Sequence, residues 1–392
     1  MRIKMALRTA RKDDSMTQEI FGGAMSGTSL DGVDVVLAGF DAAQVGAYAV
    51  LPSVLAHVYR PYPPELRDAV LAVCHGQPLT LPELGRLDLA IARVYVQAIR
   101  AAVAQVPQVE GTVKAVGVHG QTVFHQPLGD ARFTMQIGDP NHIAVHTGIP
   151  VVADFRRRDM ALGGQGAPLA PGFHAQCFRH AEITRIVCNC GGIANITVLQ
   201  PGADTYGYDT GPANVLMDAW CALKTGQPFD RDGQWARGGQ LIEPLLQTLL
   251  QEPYLGLPHP KSTGRELFHL DWLQPQISRC GVRALADRDV MRTLLEFTAR
   301  TIADESAKAS PHGGEMYMCG GGAMNAFLME RLVLAMPGWR VQSTAALGMA
   351  PDQVEALAFA SFARSTVRGL PANVPSVTGA SRACILGAVY AV

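Results

Sequence analysis

The 392-residue chain has no run approaching the roughly 18 consecutive apolar residues of a membrane span. Its first residues, Met1 to Glu19, are basic and then acidic and contain no apolar core, so a secretory signal is not expected there. Residues 1–18 read as a tail, with Met5 and Met16 as alternative starts. The formal net charge is only −1, so no global field attracts nucleic acid or an acidic membrane, and the expected partners are small molecules. The eight cysteines are dispersed. No CxxC pair and no Cys/His cluster has zinc spacing. Cys188, Cys190, Cys319 and Cys384 sit inside apolar runs, which reads as buried, reduced thiols in a cytoplasmic protein.

Two common nucleotide motifs are missing as well. Gly256 to Thr263 looks like a P-loop, but Pro260 stands where the second glycine belongs and removes an N–H that a phosphate cradle needs. Gly320 to Asn325 lacks the third glycine of a dinucleotide fingerprint.

The composition is that of a globular protein with ample core, 48% hydrophobic and 17% charged, and the length favours two lobes. The order of elements is mixed α/β. Ile20-Phe21 and Val33 to Phe40 read as strands flanking Gly23 to Asp34, a turn rich in glycine and hydroxyls that ends in carboxylates. Glycine allows close backbone approach, and free N–H groups and hydroxyls donate to an anion. Leu81 to Val106 has helical apolar spacing. Val113 to Val118 reads as a strand delivering His119-Gly120-Gln121-Thr122, and Pro150 to Ala153 as one delivering Asp154 to Asp159 and the glycine-rich 163–168.

The grammar then restarts. Arg185 to Cys190 and Ala194 to Leu199 flank Gly191-Gly192, and Met316 to Cys319 feeds Gly320-Gly321-Gly322 before a helix at Asn325 to Leu334. Ser381 to Tyr390 is apolar at helical spacing and is expected to return to the first lobe. No sequence repeat is present, yet a glycine hairpin opens each half. The expected division is 19–155 with 377–392 as the first lobe and 156–376 as the second. Four glycine, hydroxyl and amide loops, at 23–34, 189–195, 209–214 and 320–325, point to a cleft for phosphate and nucleoside between them.

This set of motifs closely resembles the anhydro-N-acetylmuramic acid kinases. The carriers are Met25 to Asp34, His119 to Thr122, Asp154 to Asp159, Gly163 to Leu169, Gly191 to Asn195, Gly207 to Asn214, Lys261 to Glu266 and Cys319 to Gly322. Two departures are the segment before Ile20 and Cys190, where such sequences usually carry isoleucine. The resemblance implies a two-lobe, actin-like (ribonuclease H-like) ATPase fold with its active site between the lobes. It also implies a small-molecule sugar substrate, ATP and Mg²⁺ as cofactors, no nucleic-acid or membrane partner, and a homodimer.

The implied reaction moves the γ-phosphoryl of ATP to O6 of 1,6-anhydro-N-acetylmuramic acid while water opens the anhydro bridge at C1. That chemistry needs a carboxylate to activate water. The family motif puts it at Asp209, with Asp154 and Asp159 as rivals weakened by flanking arginines. The implied first phosphate loop is Gly27, Thr28, Ser29, Leu30, Asp31, Gly32, Val33 and Asp34, with Asp31 near Mg²⁺ through water. The second uses Asn189, Gly191, Gly192 and Asn195, and Gly320, Gly321, Gly322 and Asn325 bracket adenosine. Arg157 is expected to pair with the lactyl carboxylate of the sugar, with His119 and Gln121 nearby. Glu355 reads either as a helix-start residue after an Asp352 cap or as a substrate contact. Lys261 and Arg265 are open between phosphate contact and lobe linkage.

Overall fold

The computed structural model describes residues 18–27, 30–42, 51–109 and 111–392. Thr28, Ser29 and the tail to residue 17 lie outside them. Thirteen strands form among the described residues: β1 (Gln18–Met25), β2 (Gly32–Asp41), β3 (Ser53–Pro61), β4 (Val113–Val118), β5 (Gln121–Gln126), β6 (Phe133–Ile137), β7 (Val151–Ala153), β8 (Arg185–Cys190), β9 (Ile193–Leu199), β10 (Tyr206–Pro212), β11 (Gly314–Cys319), β12 (Trp339–Ser343) and β13 (Ala388–Tyr390).

Two large sheets have the orders β13-β7-β4-β1-β2-β3 and β10-β9-β8-β11-β12, and β5 with β6 makes a separate hairpin. Each large sheet starts as an antiparallel meander, β1-β2-β3 in one and β8-β9-β10 in the other. Each then adds two parallel strands on the far side of its first strand, β4 and β7, or β11 and β12. The same strand order thus occurs twice, each time led by a glycine hairpin, although no repeat is visible in the residues. This doubled ribonuclease H-like topology is the expected fold class.

One core lies under the first sheet against helix Leu81–Gln105, and another under the second sheet against helix Asp287–Ala309. The first of these helices begins with a capping box, Thr80 and Glu83 bonding each other's backbone N–H groups. A third core joins the sheets. It takes Phe21, Val36, Ala115 and Val152 from one sheet, Val187, Leu199 and Cys319 from the other, and helix Val354–Val367 between them.

That helix is apolar nearly all round, as a helix buried on every side must be. The expected division gave it to the second lobe, yet its main contacts are with β1, β4 and β2 of the first sheet. Glycines make the contact tight. A Cβ on Gly23 would stand 1.8 Å from the Ala356 carbonyl oxygen, and one on Gly117 would stand 2.1 Å from that of Phe359.

The C-terminal segment departs from its helical spacing. Residues 381–387 form no helix, and β13 pairs antiparallel with β7. Gly387, at φ +78°, turns the chain where a Cβ would meet Val152 at 2.9 Å, and the strand then joins the sheet edge. A short apolar run does not distinguish helix from buried strand. The expected return to the first sheet does occur. No helix among the described residues is long and apolar enough to cross a membrane.

Candidate active site

The β1–β2 turn is built by its backbone. Leu30 N donates to the Gly27 carbonyl at 3.3 Å, and Tyr62 N donates to the Asp31 carbonyl at 3.1 Å. Leu30, at φ +58°, and Val33 point into the core, so only their backbone groups face the turn. Gly32 is pressed on the neighbouring strand, where a Cβ would lie 2.3 Å from the Arg60 oxygen. Asp31 is exposed at the tip, with one loose contact to Arg67 at 3.8 Å. Asp34 bonds across the strands to His57 at 3.2 Å, and this bond raises the histidine pKa.

The end of β4 braces this turn. Ser26 Oγ donates to Gln121 Oε1 at 2.6 Å, and Gln121 Nε2 donates to the Gly27 carbonyl at 3.4 Å. His119 has both ring nitrogens engaged. Nε2 accepts from Arg156 Nε at 3.1 Å, so Nδ1 carries the proton and donates to the Ser26 carbonyl at 3.2 Å. Burial, reinforced by the Arg156 charge, pushes the His119 pKa down to about 3 and keeps it neutral. His119 and Gln121, expected toward the sugar, therefore hold the first hairpin in shape.

Arg156, which sequence reasoning passed over, continues the chain of bonds by donating to the Gly166 carbonyl at 2.8 Å. Asp159 is fully buried and accepts from Gly166 N at 2.8 Å, Asn373 Nδ2 at 2.7 Å and Thr378 Oγ1 at 2.7 Å. It fixes the glycine-rich loop and has little capacity left to act as a base. Arg157 is exposed, 3.5 Å from Asp154, and both line a cavity of about 210 Å³ beside His119, Gly138 and Tyr390. Burial raises the pKa of Asp154, which sits at φ +61°.

On the second sheet the tip of β8–β9 docks on the start of helix Asn214–Thr225. Asn214 N donates to the Gly191 carbonyl at 3.0 Å, and Ala213 N donates to that of Gly192 at 2.9 Å. A Cβ on Gly191 or Gly192 would meet nothing nearer than 3.8 Å, so the turn has an open side that phosphate oxygens fit. Asn189, Asn195 and Asp209 are paired across β8, β9 and β10 and make a polar row on the sheet. Glu355 joins it from the interlobe helix, accepting from Asn189 Nδ2 at 3.3 Å. Neither cap expectation holds, because Gln353 is the N-cap residue of that helix and no side chain caps it. Burial and the charge of Asp34 raise the Glu355 pKa against the pull of Arg156 and Asn189.

The helix that follows Asp209 has Ala213 at its cap position, which leaves the Asp209 carboxylate to other partners. Its Oδ2 accepts from Ser262 Oγ at 2.9 Å and from Thr263 N at 3.0 Å. Burial raises its pKa despite these two bonds, which brings the carboxylate closer to the range useful for a base. Lys261, open between two roles, is buried and paired with Glu305 at 2.9 Å.

The Gly320 loop lies flat on the end of β8. A Cβ on Gly320 would stand 2.4 Å from Asn189 Oδ1, and one on Gly322 would stand 2.2 Å from Cys190 Sγ. Asn325 caps helix Ala326–Ala335 through Leu328 N at 3.0 Å, while Gly321 stays exposed. Cys190 is a packed thiol with its pKa pushed up to about 12 by burial. One carboxylate was missed. Asp218, four residues after Asn214 and so on the same helix face, is within electrostatic reach of Arg265 and of Asp31. Burial lifts its pKa to about 7. The spacing from Asn214 was the available signal.

Residues 19–392 match the profile of the family described as anhydro-N-acetylmuramic acid kinase. The chain belongs to the anhydro-N-acetylmuramic acid kinase family. Members of that family are sugar kinases, and the match covers nearly the whole chain. Distant structural likenesses also exist. A ROK family glucokinase from Streptomyces griseus in complex with glucose and AMPPNP is 16% identical, covering 88% of this chain and 99% of that one at a TM-score of 0.38. A ROK hexokinase from Thermus thermophilus is 16% identical, with 89% and 99% coverage and a TM-score of 0.39. The activator of the 2-hydroxyisocaproyl-CoA dehydratase from Clostridium difficile with bound ADPNP is 10% identical, with 89% and 96% coverage and a TM-score of 0.42. Within the kinase family reading, the two hairpins, the Gly320 loop, Asp209 and Glu355 are the candidate residues.

Proposed function

We propose that this kinase phosphorylates O6 of 1,6-anhydro-N-acetylmuramic acid from ATP and hydrolyses the anhydro bridge in the same turnover. The C1–O6 bond breaks as water oxygen bonds to C1, the water proton passes to Asp209, and O6 takes the γ-phosphoryl as ADP leaves. The product is N-acetylmuramic acid 6-phosphate, and the role is recycling of cell-wall sugar. The observation that carries the reading is Asp209, a carboxylate whose pKa burial raises, with one oxygen tied to Ser262 and Thr263 and the other carrying no bond among the described residues. A kinase acting on an ordinary hydroxyl needs no such base at C1.

In this reading the phosphates lie between the β1–β2 and β8–β9 turns, and the adenosine lies against Gly320, Gly321 and Gly322. Phosphoryl transfer relies mainly on positioning and electrostatics, which backbone N–H groups at two hairpins supply. The exposed carboxylate of Asp31 is the residue that would hold Mg²⁺, through water, and the ion would offset phosphate charge. The Arg157 guanidinium, on the wall of the cavity beside His119, suits the lactyl carboxylate. Glu355, between Asn189 and the first lobe, suits a sugar hydroxyl. A cytoplasmic location and a homodimer belong to the same proposal.

The test is incubation of the purified protein with Mg²⁺-ATP and the anhydro sugar in ¹⁸O-water, followed by mass spectrometry. The expected product has gained one phosphoryl group and one water, with the label at C1. Unchanged sugar would overturn the proposal, as would a phosphorylated product that keeps the anhydro ring.

A further inference from the structure

Three consecutive residues hold Asp209. Its N–H donates to the Lys261 carbonyl at 3.2 Å, while Oδ2 receives the Ser262 hydroxyl at 2.9 Å and the Thr263 N–H at 3.0 Å. The Tyr254 hydroxyl donates to the Asp209 carbonyl at 2.8 Å. Both side-chain bonds fall on one carboxylate oxygen, and among the described residues Oδ1 receives none.

The segment that makes these bonds is itself anchored. Lys261 Nζ donates to Glu305 Oε1 at 2.9 Å and to the Leu255 carbonyl at 3.1 Å, with both side chains of the ion pair buried. The Tyr208 hydroxyl takes the second oxygen of Glu305 at 2.9 Å. Burial works to raise the Glu305 pKa, but Lys308, Lys261 and Tyr208 together hold it below the ordinary value, so the Glu305 carboxylate stays charged. Breaking a buried pair from one side is costly, so this anchor keeps the Ser262 backbone in place.

We propose that Ser262, acting with the Thr263 N–H, is the positioning residue for the base: it pins Oδ2 so that Oδ1 alone is offered to the attacking water. This rests on the reading of Asp209 as that base. A carboxylate free to turn about its last bond would spread its two oxygens over many directions, and small misplacements at a reacting centre are expensive in rate. Ser262 also donates to the charged form, which opposes the upward push of burial and of the nearby Glu266 carboxylate. Loss of its hydroxyl therefore raises the Asp209 pKa. Because the base works deprotonated, the acid limb of the rate profile moves to higher pH.

The experiment measures kcat and KM for the anhydro sugar across pH, with Mg²⁺-ATP, in the full-length protein and its Ser262→Ala, Ser262→Thr and Asp209→Asn variants. Ser262 is exposed, so its replacement leaves the fold intact. Ser262→Ala is expected to lower kcat about 10-fold with KM within about 2-fold and to shift the acid limb upward. Ser262→Thr, which keeps a hydroxyl, is expected to restore both. If Asp209→Asn is inactive but Ser262→Ala keeps the wild-type kcat and acid limb, the clamp has no part in catalysis and the base reading survives alone. A loss of kcat at an unmoved acid limb that threonine does not restore also overturns the clamp. An active Asp209→Asn variant removes the base reading and the clamp with it.

Discussion

Replacing Asp209 by asparagine is expected to lower turnover by about 10²-fold or more, the scale of losing a general base, with sugar affinity nearly unchanged. Asparagine has the same shape. Its amide oxygen can take the place of Oδ2 and accept from Ser262 and the Thr263 N–H, so the local structure is kept. The NH₂ group then points where Oδ1 pointed, and an amide nitrogen cannot accept the water proton. ADP release in the presence of the anhydro sugar gives the turnover, and calorimetric titration of the sugar gives the affinity. Near-normal turnover would send the search for the base to Glu355 or Asp154, since Asp159 is saturated by three donors. Because burial raises the Asp209 pKa, the wild-type acid limb is expected above the ordinary aspartate range, with activity falling as pH drops through it.

The second large effect is on stability. Gly23→Ala places a methyl group 1.8 Å from the Ala356 oxygen and 2.5 Å from Ala360 N, both backbone atoms of the helix between the sheets. Neither atom belongs to a flexible side chain, so the helix itself must move. The expected cost is about 3 kcal/mol, at the upper end of ordinary overpacking. The control is Gly85→Ala within helix Leu81–Gln105, where an added Cβ meets no atom within 4 Å. There alanine is expected to gain about 1 kcal/mol from helix propensity. Urea unfolding of both variants separates the two, and equal midpoints would refute the close approach. Ala356 follows Glu355, so Gly23→Ala is also expected to weaken activity in the fraction that remains folded.

Much of the frame was legible in the residues. The two glycine hairpins, the strand leading to His119 and the helix from Leu81 announce themselves through local turn chemistry and periodicity, which need only neighbours along the chain. Cys190, exceptional by type, proved to be a matter of packing against Gly322. What stayed hidden depends on distant partners. His119 looked available until Arg156 and Ser26 took both its nitrogens, and Lys261, left open between phosphate contact and lobe linkage, is held by a buried pair with Glu305. The long helix Asp287–Ala309 reads as polar because Arg292 and Glu296, which pair within it while Glu296 also holds Arg331, carry no apolar signal. Asp218 was overlooked because one carboxylate on a helix is unremarkable until the fold turns it toward Asp31. Ser381 to Tyr390 misled because ten residues are too few for periodicity to decide.

The helix from Val354 to Val367 also sets a timetable for the newborn chain. β1, β2, β4 and β7 leave the ribosome early, yet the element that covers one face of their sheet is translated only after the whole second sheet. At roughly 5–20 residues per second, that face waits about 10 s or longer for its lid. β13, which borders β7, comes later still. The half that is made first is therefore the half that is finished last, and during synthesis its bare apolar face is the surface a chaperone would be expected to hold.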